Sequence, residues 1–220
     1  MGIFRNESAF DGAKSAFDGA KSAFDGAKSA FGGAKSAFGG AMTRAVFLDR
    51  DGVINRAVLR AGLPHPPQSV QDLEILPGVH EALTVLRSAG FRLVVVTNQP
   101  DVARGVQTQA TVEAIHGFLL RTLPLDGVKV CFHDDADRCS CRKPAPGMIL
   151  EAARELDVDL ARSYMVGDRW RDIEAGERAG TTTILIENDT LEKKPGNAAA
   201  RVGSLREAAE WIIAREKGRT

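Results

Sequence analysis

From position 42 onward the chain alternates between two patterns. Short apolar runs of strand length cover Ala45 to Leu48, Arg92 to Thr97, Val128 to Phe132, Tyr164 to Val166 and Thr182 to Ile186. Between them lie stretches with apolar residues at helical spacing: Val79 to Ser88 ending at Gly90, Thr111 to Leu123, Met148 to Leu156 after Pro146, and Arg171 to Ala179 ending at Gly180. Parallel strands need a long crossover between them, and a helix is the usual one. The alternation therefore predicts an α/β fold, a Rossmann-like doubly wound parallel sheet with helices on both faces, where ligands bind outside the carboxyl ends of the strands. A last stretch, Leu205 to Arg215, carries Leu205, Ala208, Ala209, Ile212 and Ile213 at helical spacing, which makes Trp211 a packing residue.

Residues 1–41 read differently. Ser8-Ala9-Phe10-Asp11-Gly12-Ala13-Lys14 recurs from Ser15, Ser22, Ser29 and Ser36, with Gly replacing Asp in the last two copies. A seven-residue period suggests a coiled coil, but every copy holds glycine, which costs a helix about 1 kcal/mol each time, and Phe is the only large apolar residue per repeat. The expectation is a low-complexity, disordered segment ahead of one domain at 42–220, with weak Phe-mediated association as its functional alternative. It lacks the apolar core of a secretory signal, and Met42 is an alternative start. The chain has 29 Lys and Arg against 29 Asp and Glu, so no charge excess points to nucleic acid or an anionic membrane. No apolar run approaches the roughly 18 residues of a membrane span, and a cytoplasmic monomer is expected.

Polar residues gather at the predicted strand ends. Phe47-Leu48 runs into Asp49-Arg50-Asp51-Gly52, and side chains two apart on a strand point the same way, which would crowd Asp49 and Asp51 into one volume. Crowded carboxylates want a cation or a proton between them, and Mg²⁺, which takes a few carboxylates plus water and phosphate oxygens, suits such a site. A calcium loop fails because glycine follows Asp51 directly, whereas a plain Asp-Gly turn stays open. Val94 to Val96 runs into Thr97-Asn98-Gln99, the loop after the third strand brings Arg142 and Lys143, and Met165-Val166-Gly167 runs into Asp168 and Arg169, with Asp172 four residues past Asp168. A nucleophile, a metal site and fixed positive charge are what phosphoryl transfer needs.

This order of motifs resembles the haloacid dehalogenase superfamily of phosphatases, which share Asp-x-Asp-Gly, a strand-end Thr or Ser, a Lys, and Gly-Asp-x-x-x-Asp. The resemblance implies that Asp49 is the nucleophile that forms an aspartyl-phosphate and that Asp51 is the acid and base. It implies that Thr97 and Lys143 hold the phosphoryl oxygens, and that Asp49, the Asp51 carbonyl and Asp168 hold Mg²⁺, with Asp172 orienting that site. The partner would be a small phosphate ester. A catalytically inert phosphate-binding or scaffold protein is the alternative of another class.

Cys131, His133, Cys139 and Cys141 lie close together and include every cysteine of the chain. Three thiols and an imidazole make a closed tetrahedral set for structural Zn²⁺, against the alternatives of reduced thiols or an odd disulfide. Arg142 and Lys143 follow directly, so zinc would position the phosphate-binding cations. Cys-x-His and Cys-x-Cys before Arg-Lys-Pro narrow the resemblance to the branch of heptose-bisphosphate and histidinol-phosphate phosphatases, which have no large cap domain. The branch implies that Asn98, Gln99, Arg142 and Arg169 serve phosphate or substrate. Two departures fall where the non-reacting end of the substrate would lie: Pro100-Asp101 stands in place of Ser-Gly, and 56–70 replaces a shorter loop. His65 in that segment reads as an exposed loop histidine, and His80 and His116 as surface or packing residues.

Overall fold

The structure, a computed structural model, describes residues 42–60, 63–187 and 196–218. The repeat segment and the boundary drawn after position 41 lie outside the described residues.

Six strands form one parallel sheet: β1 (Arg44–Leu48), β4 (Phe91–Asn98), β5 (Gly127–Cys131), β6 (Tyr164–Gly167), β7 (Thr182–Ile186) and β8 (Ala200–Val202). They run in the order β5-β4-β1-β6-β7-β8. The chain builds outward from β1 in one direction, then returns to β1's other side with β6 and builds the opposite way. The reversal puts a crevice between the carboxyl ends of β1 and β6, the place where doubly wound sheets bind ligands. Phe47 pairs with Val94 on one side and Met165 on the other, so β1 is central and buried on both faces.

Alternation along the strands builds two cores. Val46, Leu48, Leu93, Val95, Tyr164, Val166, Ile184 and Ile186 face α1 (Val79–Ser88), α2 (Gln109–Thr122) and α5 (Leu205–Lys217). Ala45, Phe47, Val94, Val96 and Met165 face α3 (Gly147–Leu156) and α4 (Trp170–Ala179). The helix ends carry the caps their sequence offers: the Thr108 side chain accepts from the Thr111 N–H, Ser204 accepts from Glu207 N–H, and Gly180 closes α4 at φ 84°. Where α4 crosses β6 and β7 the approach is close, because a Cβ on Gly176 would lie 2.7 Å from Met165 Cβ and Thr183 Cγ2. Among the described residues no helix is long and apolar enough to cross a membrane.

The expected strands and helices are all present, with ends shifted by a residue or two. The additions are short. β2 (Val58–Arg60) and β3 (Leu63–His65) form a two-stranded antiparallel hairpin inside the segment read as a loop, and β8 extends the sheet edge. Three residues are too few to show a period of two, and Pro64 argues against a strand. Among the described residues this hairpin and the loops beside it are all that stands between β1 and α1.

Candidate active site

Lys143 holds the site together. It is 3% exposed, and its Nζ lies 2.7 Å from Asp49 Oδ1, 2.6 Å from Asp172 Oδ1 and 2.7 Å from the Val96 carbonyl. Asp49 extends β1 by one ladder bond, its N–H donating to Val166 O at 2.9 Å. Carboxylate oxygens of Asp49, Asp168 and Asp172 fall within 4.8 Å of one another. Gly52, at φ 92°, admits the Asp168 carboxylate at a point that a Cβ would occupy. Burial outweighs the neighbouring lysine at Asp49 and raises its carboxyl to about 6, while burial and then the Asp49 and Asp172 charges raise Asp168 well above the ordinary range. On Lys143, Asp172 and Asp49 overcome burial and push the ammonium upward.

Asp51 does not share that cluster. Its carboxylate turns to Arg50, which reaches it from Nη2 at 2.9 and 3.1 Å, to Asn55 Nδ2 at 2.9 Å and to Gln99 Nε2 at 2.9 Å. The chain has left the strand by then: Gly52 to Asn55 form a turn, so strand alternation stops applying after Leu48. Burial would raise Asp51, but the Arg50 guanidinium and these hydrogen bonds bring it below the usual carboxylate value. Arg50 itself is fully buried, and its Nη1 lies 3.0 Å from His116 Nε2. Burial, followed by the arginine's charge, lowers His116 to about 3, so it stands neutral and accepts from the guanidinium.

The polar residues after β4 serve this frame. Asn98 takes the Lys143 N–H on Oδ1 and donates Nδ2 to the Lys143 carbonyl, both at 3.0 Å. Gln99 bridges Asp51 and the Thr97 hydroxyl, the latter at 2.9 Å. Asn98 and Gln99 were both expected at the phosphate. Asn98 borders the pocket but spends its amide on Lys143, and Gln99 is buried behind Thr97 and Asp51.

A pocket of about 310 Å³ opens from these groups, with Asp49, Asp51, Thr97, Lys143 and Asp172 on its lining. Arg104, Arg142, Arg169 and Arg171 line it as well, opposed by Asp101 and Asp135. Asp135 receives Arg142 Nε at 2.9 Å and Arg171 Nη1 at 2.8 Å, which holds its carboxyl down at about 2. Asp134 receives Arg104 at 2.7 and 2.8 Å. His65, expected to be exposed, is half-buried on the pocket wall, and His116, expected at the surface or in packing, is buried against Arg50. Arg50, Asp135 and Arg171 went unread in the sequence. An arginine between two acids gives no sign of burial, and the Asp135–Arg171 pair joins positions 36 apart in the chain.

Beside the pocket, Cys131 Sγ lies 3.6 Å from Cys139 Sγ and 3.2 Å from Cys141 Sγ, and His133 Nδ1 lies 3.3 Å from Cys141 Sγ. Those edges are close to the roughly 3.8 Å of a tetrahedron with metal–sulfur distances of about 2.3 Å. Arg142 N–H points at Cys139 Sγ at 3.4 Å, so the cluster and the pocket rim share one piece of backbone. Burial raises the Cys131 thiol, whereas at Cys139 hydrogen bonds from Cys141 and the Arg142 backbone overcome burial and lower it to about 7.

A sequence profile described as HAD-hydrolase-like matches residues 140–208. The chain is 36% identical over 188 residues to the D-glycero-beta-D-manno-heptose-1,7-bisphosphate 7-phosphatase of Yersinia pestis, covering 79% of this chain and 97% of that one. The Helicobacter pylori protein of the same name is 34% identical over 175 residues, covering 77% and 97%. Among solved structures, the D,D-heptose 1,7-bisphosphate phosphatase from B. bronchiseptica, complexed with magnesium and phosphate, superposes with a TM-score of 0.67 at 34% identity, covering 78% of this chain and 99% of that one.

Proposed function

The chain belongs to the haloacid dehalogenase-like hydrolases, in the family of the heptose-1,7-bisphosphate 7-phosphatases, and from that premise we propose that it removes the 7-phosphate of a heptose 1,7-bisphosphate through an aspartyl-phosphate on Asp49. The observation that carries the reading is the buried Asp49–Lys143 pair at the sheet's reversal point, with Asp51 beside it in the same arginine-rich pocket. Lys143 and Thr97 hold the phosphoryl oxygens, and Lys143 keeps Asp49 aimed. Asp49 Oδ bonds to phosphorus as the bond from phosphorus to the sugar oxygen breaks, and Asp51 gives that oxygen its proton. Water then attacks the phosphorus, Asp51 takes its proton, and inorganic phosphate leaves with Asp49 restored. The grip of Arg50, Asn55 and Gln99 keeps Asp51 in place for both steps.

The residues fit Mg²⁺. Asp49, Asp168 and Asp172 bring three buried carboxylates against one lysine, an excess of negative charge that a hard divalent cation relieves. Asp49 and Asp168 would hold it together with the Asp51 carbonyl, and Asp172, gripping Lys143, would orient the set. Such an ion, when bound, neutralises the charge of the phosphoryl oxygens. Cys131, His133, Cys139 and Cys141 fit a closed Zn²⁺ site, structural in role. Arg142, Arg169 and Arg171 supply charge for the phosphate that is retained.

Asp49→Asn tests the nucleophile. Phosphate release should fall by at least about 10³-fold while near-ultraviolet circular dichroism is unchanged. Undiminished turnover would remove Asp49 from the role.

A further inference from the structure

One wall of the pocket is acidic. Asp101, in the loop after β4, lines the pocket although it is 6% exposed. Its Oδ1 faces Arg104 Nη1 at 3.5 Å. Its Oδ2 is buried and accepts no hydrogen bond, and it lies 3.8 Å from His65 Nδ1, too far for one. His65 is on the same wall. The Asp101 carbonyl accepts from the N–H groups of Val106 at 2.8 Å and Gln107 at 3.0 Å, and Gln107 Nε2 reaches across to the Pro67 carbonyl at 2.8 Å, fastening the loop that carries Asp101 to the segment that carries His65.

A buried carboxylate oxygen without a donor is costly unless something brings one. A phosphate is the wrong visitor, because two anions would face each other. A hydroxyl is the right one: it could give its proton to the Asp101 carboxylate once a small turn of that side chain presents Oδ2 to the pocket, with His65 on the same wall. Arg142 and Arg171 are joined through Asp135, while Arg104 beside Asp101 pairs with Asp134. The pocket thus separates its polar work between a cationic side and a hydroxyl-accepting side.

We propose that Asp101 and His65 form a hydroxyl-reading subsite that makes this chain select polyhydroxylated phosphate esters over plain ones. This rests on the reading of the pocket as a sugar-phosphate phosphatase site. Such a subsite discriminates strongly, because a substrate lacking the hydroxyl leaves Asp101 Oδ2 without a donor.

The test compares specificity constants for heptose 1,7-bisphosphate, a hexose monophosphate and p-nitrophenyl phosphate in the full-length wild type, Asp101→Ala, Asp101→Asn and His65→Ala. In Asp101→Ala the ratio of sugar ester to p-nitrophenyl phosphate should drop about 10- to 100-fold. Asp101→Asn, which keeps an acceptor, should recover part of it, and His65→Ala, at a half-buried position, should lower the ratio in the same direction. Unchanged ratios in Asp101→Ala and His65→Ala, whether total activity holds or falls, overturn the subsite and leave the sugar-phosphate reading standing. A wild type that cleaves p-nitrophenyl phosphate but no sugar phosphate overturns that reading, and the subsite with it.

Discussion

Asn98 shows how far a single residue could be read. A strand-end Thr-Asn-Gln marks a site, and Thr97 does line the pocket, but only the fold reveals that Asn98 clasps Lys143 by its backbone in both directions. Asn98→Ala should therefore lower the specificity constant about 10- to 100-fold for sugar and aryl phosphates alike, as loss of a positioning contact does. Kinetics on both substrates check this, and a selective effect would point to direct substrate contact instead. Asp49 and Asp168 were read directly after strands and Lys143 in the loop after β5, and the fold brings the three together. Arg50 was not: its burial and its contact with His116 depend on packing against α2. That contact has a pH consequence. His116 is held neutral, its ordinary value of 6.5 lowered to about 3, so below pH 6.5 the unfolded chain takes up a proton that the folded chain refuses. The sign follows: this contribution is fully present above 6.5 and is lost as pH falls toward 3, costing about 2 kcal/mol between pH 7 and pH 5. Urea unfolding of wild type and His116→Gln should show the shallower pH slope in the variant. Parallel slopes would contradict the assignment.

At the scale of elements, strands with continuous apolar runs and helices with clear apolar spacing were readable to within a few residues. The hairpin β2–β3 was not, because its strands are shorter than any detectable period. It brings His65 to the pocket, so the least legible element is also the one that shapes the far wall. Glycine within α4 marks a close approach that periodicity does not reveal. Gly176→Ala would press a methyl between Met165 and Thr183 and should cost about 1–3 kcal/mol by thermal or chemical unfolding. The cysteine loop was legible from composition, and its link to Arg142 is now physical: Cys139 Sγ accepts from the Arg142 backbone, and Asp135 ties Arg142 to Arg171 in α4. Metal analysis should find about one zinc per chain, and stripping it with a strong chelator should raise KM for the bisphosphate more than it lowers kcat, by freeing Arg142. A metal-free protein with native KM would contradict both the zinc and its purpose.

For the whole molecule, alternating strands and helices implied a doubly wound sheet, and the observed order places β1 and β6 side by side, which is why Asp49 and Asp168 meet although more than a hundred residues separate them. The strand order itself was not written in the alternation, which permits several. Among the described residues every group of the site lies between 42 and 218, and removing residues 1–41 should leave the specificity constant and the melting temperature unaltered. The most direct measurement of the central claim follows heptose 1,7-bisphosphate by phosphorus NMR in the presence of the protein and Mg²⁺. The account predicts that the 7-phosphate signal is converted to inorganic phosphate while the 1-phosphate signal persists. Release of the 1-phosphate, or no hydrolysis while other phosphate esters are cleaved, would contradict it.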